Sequence, residues 1–377
     1  MPSDSRSGIR PQSDRADFLD GLLLVAFLIA LPFYVLPSGL PQPADIALLL
    51  LLGRLALRRE RLASFPRPAI ESGRALGLFV LYAWALSLAW TLRLGEPLML
   101  AYPLFYTYNL AVFGGALLLF IRPGGGFLRL AMHATAVSLL LQVLLSPLSI
   151  DAIAIRQSLY LNNPNQLGYF ALLAATLFVL GDRRRPVHTL YLIGVIAAAS
   201  YLTALSLSKS ALLALAMLIL FTSLARPWIL AAAAVAAALL WTLGPSDSLP
   251  TLILERILGM GGELDNSLAG RGYDRIGLHP GQLFLGAGEG AFWRFDSFLR
   301  GEIHSSFGTL LFSYGLAGLL LFLHFLYRLM RGASTGVWLL LMPVAFYGLT
   351  HQGLRFRLLW VTLALALAVR IPHEESR

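Results

Sequence analysis

Histidine is the residue type of this sequence best suited to acid–base chemistry, and one histidine stands where such chemistry could occur. His304 lies in GEIHSSFGTLLFSYGLAGLLLF, where it would mark the mouth of a membrane helix. An imidazole there could be partly desolvated and still reach water or a sugar hydroxyl, acting as a general base near neutral pH. The alternative is a histidine that caps the helix or lies at the membrane interface.

Paired arginines on the same side of the predicted helices could bind an anionic group. Arg271 and Arg275 flank Tyr273 in AGRGYDRIGLHP, and Arg355 and Arg357 lie in THQGLRFRLLW. Guanidinium groups pair well with phosphate oxygens. The alternatives are salt bridges within a loop for the first pair and contacts with lipid headgroups for the second.

Lysine occurs once in the chain, as Lys209 in TALSLSKSALLALAM, a short turn between two apolar runs. Its alternative role is that of a lysine whose stem follows the apolar surface while its ammonium group reaches water. Together with His279 and His351 near the same side, these basic residues form a cationic vestibule. Such a vestibule suits an anionic, lipid-attached substrate such as a polyprenyl pyrophosphate sugar.

Several other kinds of site are not supported by the sequence. HxxxH zinc spacing, paired catalytic carboxylates and a Walker loop are absent, and LGAGEG lacks the strand–turn–helix context of a nucleotide site. The chain has no cysteine, which excludes thiol catalysis, disulfides and cysteine-ligated metals. We therefore expect a site without a metal or a cofactor.

The elements that would position these residues are membrane helices. The chain has 377 residues, of which 57% are hydrophobic and 13% charged, whereas a soluble domain has about a quarter charged residues. Spanning a bilayer needs about 20 apolar residues. We predict an all-α integral membrane protein with about twelve spans, at 18–36, 44–57, 75–92, 98–121, 127–148, 165–180, 187–205, 209–224, 228–243, 304–327, 337–349 and 354–370.

Arginine placement predicts the orientation of these spans. With a cytoplasmic N-terminus, eighteen arginines fall in the cytoplasmic segments and five basic residues in the short outer loops. Basic loops stay on the cytoplasmic side, so the net charge of +9 is explained without nucleic acid as a partner. The polar residues 1–17 and the lack of a small-residue cleavage site predict a retained first span rather than a signal peptide.

Three regions follow from this topology: nine spans in 1–243, a long outer loop in 244–303, and three spans with a cytoplasmic tail in 304–377. Within the loop, TLILERILGM predicts a short amphipathic helix. The segment AFWRFDSFLRGE mixes aromatic residues with arginine, and we expect it to lie on the membrane surface.

Four segments, in this order, resemble the O-antigen ligase and polymerase superfamily of bacterial membrane glycosyltransferases. That family has a GR…hP…GxGxxxF signature in a long outer loop, followed by H-N/S-x-x-L…GxxGLLL at the next span. The resemblance covers roughly residues 160–370. The matching segments are NNPNQLGYF at 162–170, SLSKSALLAL at 206–215, AGRGYDRIGLHPGQLFLGAGEGAF at 269–292 and EIHSSFGTLLFSYGLAGLLLF at 302–322.

The resemblance implies a GT-C-like fold in the bacterial inner membrane and a metal-independent glycan transfer on the periplasmic face. The donor would be a glycan linked to undecaprenyl pyrophosphate. The acceptor would be a lipid-core sugar for a ligase, or another repeat unit for a polymerase, which would have a chain-length regulator as a possible partner. His304 would be the base, and Arg271 and Lys209 would contact the pyrophosphate. Arg275, Arg355 and Arg357 are further expected pyrophosphate contacts, of which Arg355 and Arg357 match the family pattern only loosely.

A flippase or transporter of lipid-linked glycans is the alternative from another class. It would explain the cationic vestibule equally well. However, a transport path needs polar residues through the depth of the bundle, and the inner halves of the spans are almost wholly apolar. No internal repeat is visible either, which favours surface chemistry over an inverted-repeat transporter.

Overall fold

The computed structural model describes residues 11–37, 39–58, 65–122, 126–149, 156–230, 269–296 and 301–371, with a few isolated positions between them. These ranges contain helices and no strand. The helices are α1 (Pro11–Ala30), α2 (Pro43–Leu57), α3 (Arg67–Leu94), α4 (Ala101–Ile121), α5 (Phe127–Ser149), α6 (Pro164–Arg184), α7 (Thr189–Ser206), α8 (Lys209–Ser223), the short α9 (Asp274–Leu278), α10 (Ser306–Met330), α11 (Thr335–Thr350) and α12 (Arg357–Arg370).

Six helical stretches are long and apolar enough to cross a membrane: Arg67–Leu94, Pro97–Ile121, Phe127–Ser149, Pro164–Arg184, Thr189–Ser206 and Ser306–Met330. The chain is therefore an all-helical, multi-pass membrane protein in its described parts. The count of twelve spans stays a prediction. The predicted span at 228–243 and the predicted surface helix at 251–260 lie largely outside the described residues.

The centre of the bundle is formed by α6 and α12, whose side chains are buried on almost every side. Helix α6 begins where the Asn163 side chain accepts a hydrogen bond from the Gln166 backbone N–H (2.9 Å) and Pro164 takes the first position. Gly168 then lets α6 approach α7 and α8, because a Cβ there would lie 2.7 Å from the Ala211 Cβ. The NNPNQLG segment thus fixes the start of α6 beside the start of α8.

Consecutive long helices alternate in direction, so their ends gather at two ends of the bundle. At the end where α6, α8, α10 and α12 begin, hydrogen bonds join turns that are distant in sequence, and we call it the site end. The opposite end is held by ion pairs, in which the buried Asp20 lies 2.9 Å from Arg54 and from Arg58. Arg122 joins the same group through Asp17 (3.1 Å).

Helix α10 is broken at Gly315, and the glycine-rich turn 284–290 docks against the break. Gly315 has φ +66 and ψ −176, which is not helical. The backbone N–H groups of Ala287 and Gly288 donate to the carbonyls of Phe312 (2.9 Å) and Ser313 (2.8 Å). The turn therefore satisfies carbonyl groups that the broken helix leaves without their usual partners.

The glycines of LGAGEG are explained by this docking. Gly286 has φ +97, and a Cβ on it would lie 2.5 Å from the Ser313 carbonyl oxygen. A Cβ on Gly288 would lie 2.7 Å from Trp90, and one on Gly290 would lie 2.6 Å from Tyr102. The backbone therefore approaches α10 and α3 more closely than any side chain would allow.

The aromatic segment after this turn packs differently from the expectation of a membrane-surface segment. Phe295 is buried in a small core of the loop, and Arg294 lies over Trp90 at 4.6 Å while its Nη2 donates to the Ala287 carbonyl (2.6 Å). Burial, and then the charges of neighbouring arginines, lower the pKa of Arg294 to about 10. Only Trp293 is strongly exposed among the described aromatic residues of this segment, so most of its apolar surface serves the loop itself.

Replacing Gly286 by alanine is expected to destabilise the protein by about 2–4 kcal/mol, because the new Cβ meets backbone and φ is left-handed. Thermal unfolding in detergent would measure the loss, and limited proteolysis would report release of the loop. Gly277→Ala is the matched control, since a Cβ there meets nothing within 4 Å. Equal melting temperatures for the two variants would contradict this account of the docked turn.

Candidate functional site

Residues 301–306, which we call the strap, carry His304 into position immediately before α10. The His304 backbone N–H donates to the Arg271 carbonyl (2.9 Å). The Gly301 carbonyl accepts from Arg275 Nη2 (2.8 Å). These two hydrogen bonds join the strap to Arg271 and Arg275 in the loop and fix the position of the His304 backbone.

Arg275 is fully buried, which differs from its predicted role as a pyrophosphate contact. Burial lowers the pKa of its guanidinium group, opposed by the charge of Asp274. The guanidinium carbon lies over three aromatic rings at 5.4–5.7 Å, those of Phe292, Phe295 and Phe312. Such cation–π contacts stabilise a desolvated cation by about 0.5–2 kcal/mol each. This placement favours a structural role, in which Arg275 supports the strap from inside the loop.

Arg355 joins the strap to the core of the bundle. It lies 2.9 Å from the Glu302 carboxylate in the strap, and it also forms an ion pair with the fully buried Glu289 of the docked turn. Glu289 accepts further hydrogen bonds from the hydroxyls of Tyr314 (2.8 Å) and Tyr106 (3.2 Å). Arg355 is therefore paired with two carboxylates. This pairing favours a structural role rather than its predicted contact with pyrophosphate.

Two serines after His304 connect the strap to the turn that follows α11. Ser305 caps α10 by accepting from the Gly308 N–H (3.0 Å). Ser306 donates from both its backbone N–H and its Oγ to the His351 carbonyl (3.1 Å each), and its Oγ accepts from the Gly353 N–H (2.9 Å). The backbones that carry the two histidines are therefore fixed relative to each other.

The His351 ring is held by stacking and by one hydrogen bond. It stacks on Tyr347 with 4.7 Å between ring centroids, and Tyr347 stacks on Tyr169 at 4.2 Å. The Tyr347 hydroxyl donates to the Asn165 carbonyl (2.9 Å), which fixes the stack at the start of α6. On the His351 ring, Nδ1 lies 3.1 Å from Thr350 Oγ1.

Burial above all keeps His351 neutral. It lowers the pKa of the imidazole to about 3, and the nearby Arg271, His304 and Arg156 lower it in the same direction. Because this pKa lies far below neutrality, the His351 imidazole is uncharged at physiological pH. Arg271, His304 and Arg156 each lie within electrostatic reach of His351.

Thr350, the last residue of α11, links Arg271 to the start of α8, where Lys209 is the first residue. Thr350 Oγ1 donates to Ser210 Oγ (2.7 Å), next to Lys209 at the start of α8. The Thr350 carbonyl accepts a hydrogen bond from the Arg271 guanidinium. We call the resulting group at the site end the cationic cluster, and its members are Arg156, Lys209, Arg271, His304 and His351.

Arg357 is engaged elsewhere at the site end. Its Nη1 lies 2.6 Å from the Asp45 carboxylate at the start of α2, and that carboxylate also accepts from the Tyr108 hydroxyl (2.6 Å). The pair joins α12 to α2 and α4. This arrangement favours a structural role for Arg357 rather than its predicted contact with pyrophosphate.

An apolar groove of about 170 Å³ lies between α10 and α11, and its lining includes Ser306, whose Oγ donates to the His351 carbonyl. Ser306, Gly348 and Tyr169 line the end beside the cluster, and Met330 and Trp338 line the far end. Its walls are almost wholly apolar in between. The apolar groove and the basic residues of the cluster therefore lie near each other at the site end.

Three of the six residues predicted for the site come together in this cluster: His304, Arg271 and Lys209. Among the described residues, His, Asp and Glu form no group of three suited to a metal ion. Sequence reasoning placed His351 near the site without a role, and it missed Thr350 and the groove. The strap could have been predicted from the histidine followed by two serines after the loop. The groove could not, because no local sequence motif corresponds to it.

No protein-family model matches this chain, and no curated protein matches it. The family resemblance seen in the sequence therefore stays a prediction.

Replacing Arg355 by alanine is expected to destabilise the protein by about 3–5 kcal/mol, because Glu289 is left buried without its cation. Thermal unfolding would measure the loss. The double variant Arg355→Ala/Glu289→Gln should recover part of it, since a neutral amide can still accept from the two tyrosines. Wild-type stability of the single variant would instead indicate that Arg355 serves only a bound anion.

Proposed function

We propose that the protein is a membrane glycosyltransferase that moves a glycan from undecaprenyl pyrophosphate to a sugar hydroxyl on the periplasmic face of the bacterial inner membrane. It would act as an O-antigen ligase or as a surface-polysaccharide polymerase. The observation that carries the proposal is the cationic cluster near the apolar groove between α10 and α11, to which Ser306 connects it. A lipid pyrophosphate has the same two parts, an anionic head and a long apolar chain.

The head of the donor fits the charges of the cluster. Arg271 and Lys209 are retained as pyrophosphate contacts, and Arg156, which donates from Nη2 to Asn165 Oδ1 (2.7 Å), adds a third cation beside them. Arginine binds phosphate oxygens through paired N–H groups, and lysine does so as a compact charge. Arg275, Arg355 and Arg357 are assigned structural roles because their guanidinium groups are buried or ion-paired.

The chemistry uses one base and an already activated leaving group. The acceptor hydroxyl attacks the anomeric carbon of the donor sugar as His304 takes its proton. The bond between that carbon and the phosphate oxygen breaks, and undecaprenyl pyrophosphate leaves with the bonding electrons. Cations placed at the pyrophosphate stabilise the negative charge that develops on it, and the general base contributes by removing the proton. This scheme has no step that requires a metal.

Replacing His304 by alanine is expected to reduce transfer by about 10²–10⁴-fold, the usual contribution of a positioned base. Purified protein in nanodiscs would be incubated with an undecaprenyl-pyrophosphate-linked glycan as the donor. Separate reactions would contain a lipid-core acceptor or a second repeat unit, each with and without EDTA. The productive acceptor distinguishes ligase from polymerase. His133→Ala is the control, because His133 pairs with Tyr191 in α5 and α7, away from the cluster.

Near-wild-type transfer by the His304 variant would refute the assignment of the base. No transfer with any acceptor, together with protein-dependent movement of the lipid-linked glycan across a bilayer, would favour the flippase alternative. Loss of activity with EDTA would refute the metal-independent scheme.

Filling the groove is expected to weaken binding of long-chain donors. Ala345→Trp places an indole on the groove wall, while Leu320→Trp adds the same side chain to an exposed position of α10 outside the groove. The first variant should raise the donor KM about tenfold or more and the second should not. Equal donor KM values for wild type and Ala345→Trp would argue against the groove as the site of the lipid chain.

Arg271→Ala should raise the donor KM similarly for long-chain and short-chain donors, because a charge-assisted contact contributes about 1.5–3 kcal/mol.

A further inference from the structure

His351 is fixed to the same backbone unit as His304. Its carbonyl accepts both hydrogen bonds from Ser306, two residues after His304 in the strap. Its ring is restrained by the stack on Tyr347 (interplanar angle 18°) and by the contact of Nδ1 with Thr350 Oγ1. A side chain held at the backbone, at one ring face and at one ring nitrogen has little freedom left.

The remaining ring nitrogen of His351 is the part that can serve a ligand. Within the described ranges, the hydrogen bonds of the imidazole are made by Nδ1 alone, and the ring is only partly buried. The charged and titratable groups within electrostatic reach of the ring are Arg271 in the loop, His304 in the strap and Arg156 before α6. The His351 imidazole is therefore a neutral polar group near two arginines.

A neutral imidazole differs from its cationic neighbours in the partners that it selects. It offers one N–H donor and one acceptor nitrogen, whereas a guanidinium or an ammonium group only donates. Arg271, Arg156 and Lys209 therefore suit the oxygens of a pyrophosphate, which only accept. A sugar hydroxyl both donates and accepts, so it can bind whichever form of Nε2 is present.

We propose that His351 is a binding residue for the acceptor sugar, whose hydroxyl groups it holds beside His304 through Nε2. This inference rests on the proposed function and divides the cluster into two parts. The arginines and the lysine receive the donor head, and the His351 imidazole receives the acceptor. His304 acts as the base that takes the proton from the acceptor hydroxyl.

The test compares two amides at position 351. The glutamine amide can reach the position of Nε2, whereas the shorter asparagine amide reaches only that of Nδ1. His351→Asn should raise the acceptor KM about tenfold, the effect of one lost neutral hydrogen bond, with the donor KM unchanged. His351→Gln should restore most of the acceptor affinity. His133→Asn is the control, because His133 also stacks on a tyrosine (interplanar angle 20°) with Nδ1 3.0 Å from its hydroxyl.

Three outcomes would overturn the proposal. An unchanged acceptor KM in folded His351→Asn would remove the role of Nε2. Equal rises of both KM values with a lower melting temperature, not rescued by glutamine, would make His351 a structural residue. Absence of transfer by the wild-type protein with every acceptor would refute the proposed function as well, which separates that failure from the first two.

Discussion

Arg355 binds two carboxylates at once, and much of the site end depends on this bridge. One carboxylate, Glu289, is fully buried beside the broken helix α10, and the other, Glu302, belongs to the strap. A buried carboxylate needs a cation and hydrogen bonds to compensate for its lost hydration. Because Glu289 requires Arg355, and Arg355 also binds Glu302, the strap follows the position of the bundle core. The His304 backbone is therefore located by a chain of ionic contacts that begins inside the membrane bundle.

Among the arginines at the site end, Arg355 and Arg357 form ion pairs with carboxylates, and Arg275 is buried against aromatic rings. Sequence alone could not predict these contacts, because the partners lie far apart along the chain. Arg357 pairs with Asp45 across 312 residues, and Arg275 is enclosed by rings from the loop and from α10. Charge type was readable from the sequence, whereas desolvation and pairing depend on tertiary contacts.

Other features were predictable because they depend on local chemistry. Apolar runs located the long helices, and the histidine followed by serines located the start of α10, where Ser305 serves as the cap. Lys209 begins α8, His304 lies just before α10 and the Arg271 carbonyl accepts from the His304 N–H, while their predicted role at one site stays a prediction. The apolar groove could not be predicted, since it is space left between α10 and α11 rather than a pattern in either helix.

The break at Gly315 makes the shape of α10 and the docking of the glycine-rich turn interdependent. The Phe312 and Ser313 carbonyls receive their hydrogen bonds from that turn, which precedes α10 in the chain. An unsatisfied carbonyl in an apolar environment costs several kcal/mol, so the bent helix and the docked turn stabilise each other. Loop and bundle therefore form one cooperative unit, in which loss of either hydrogen-bonding partner destabilises the other.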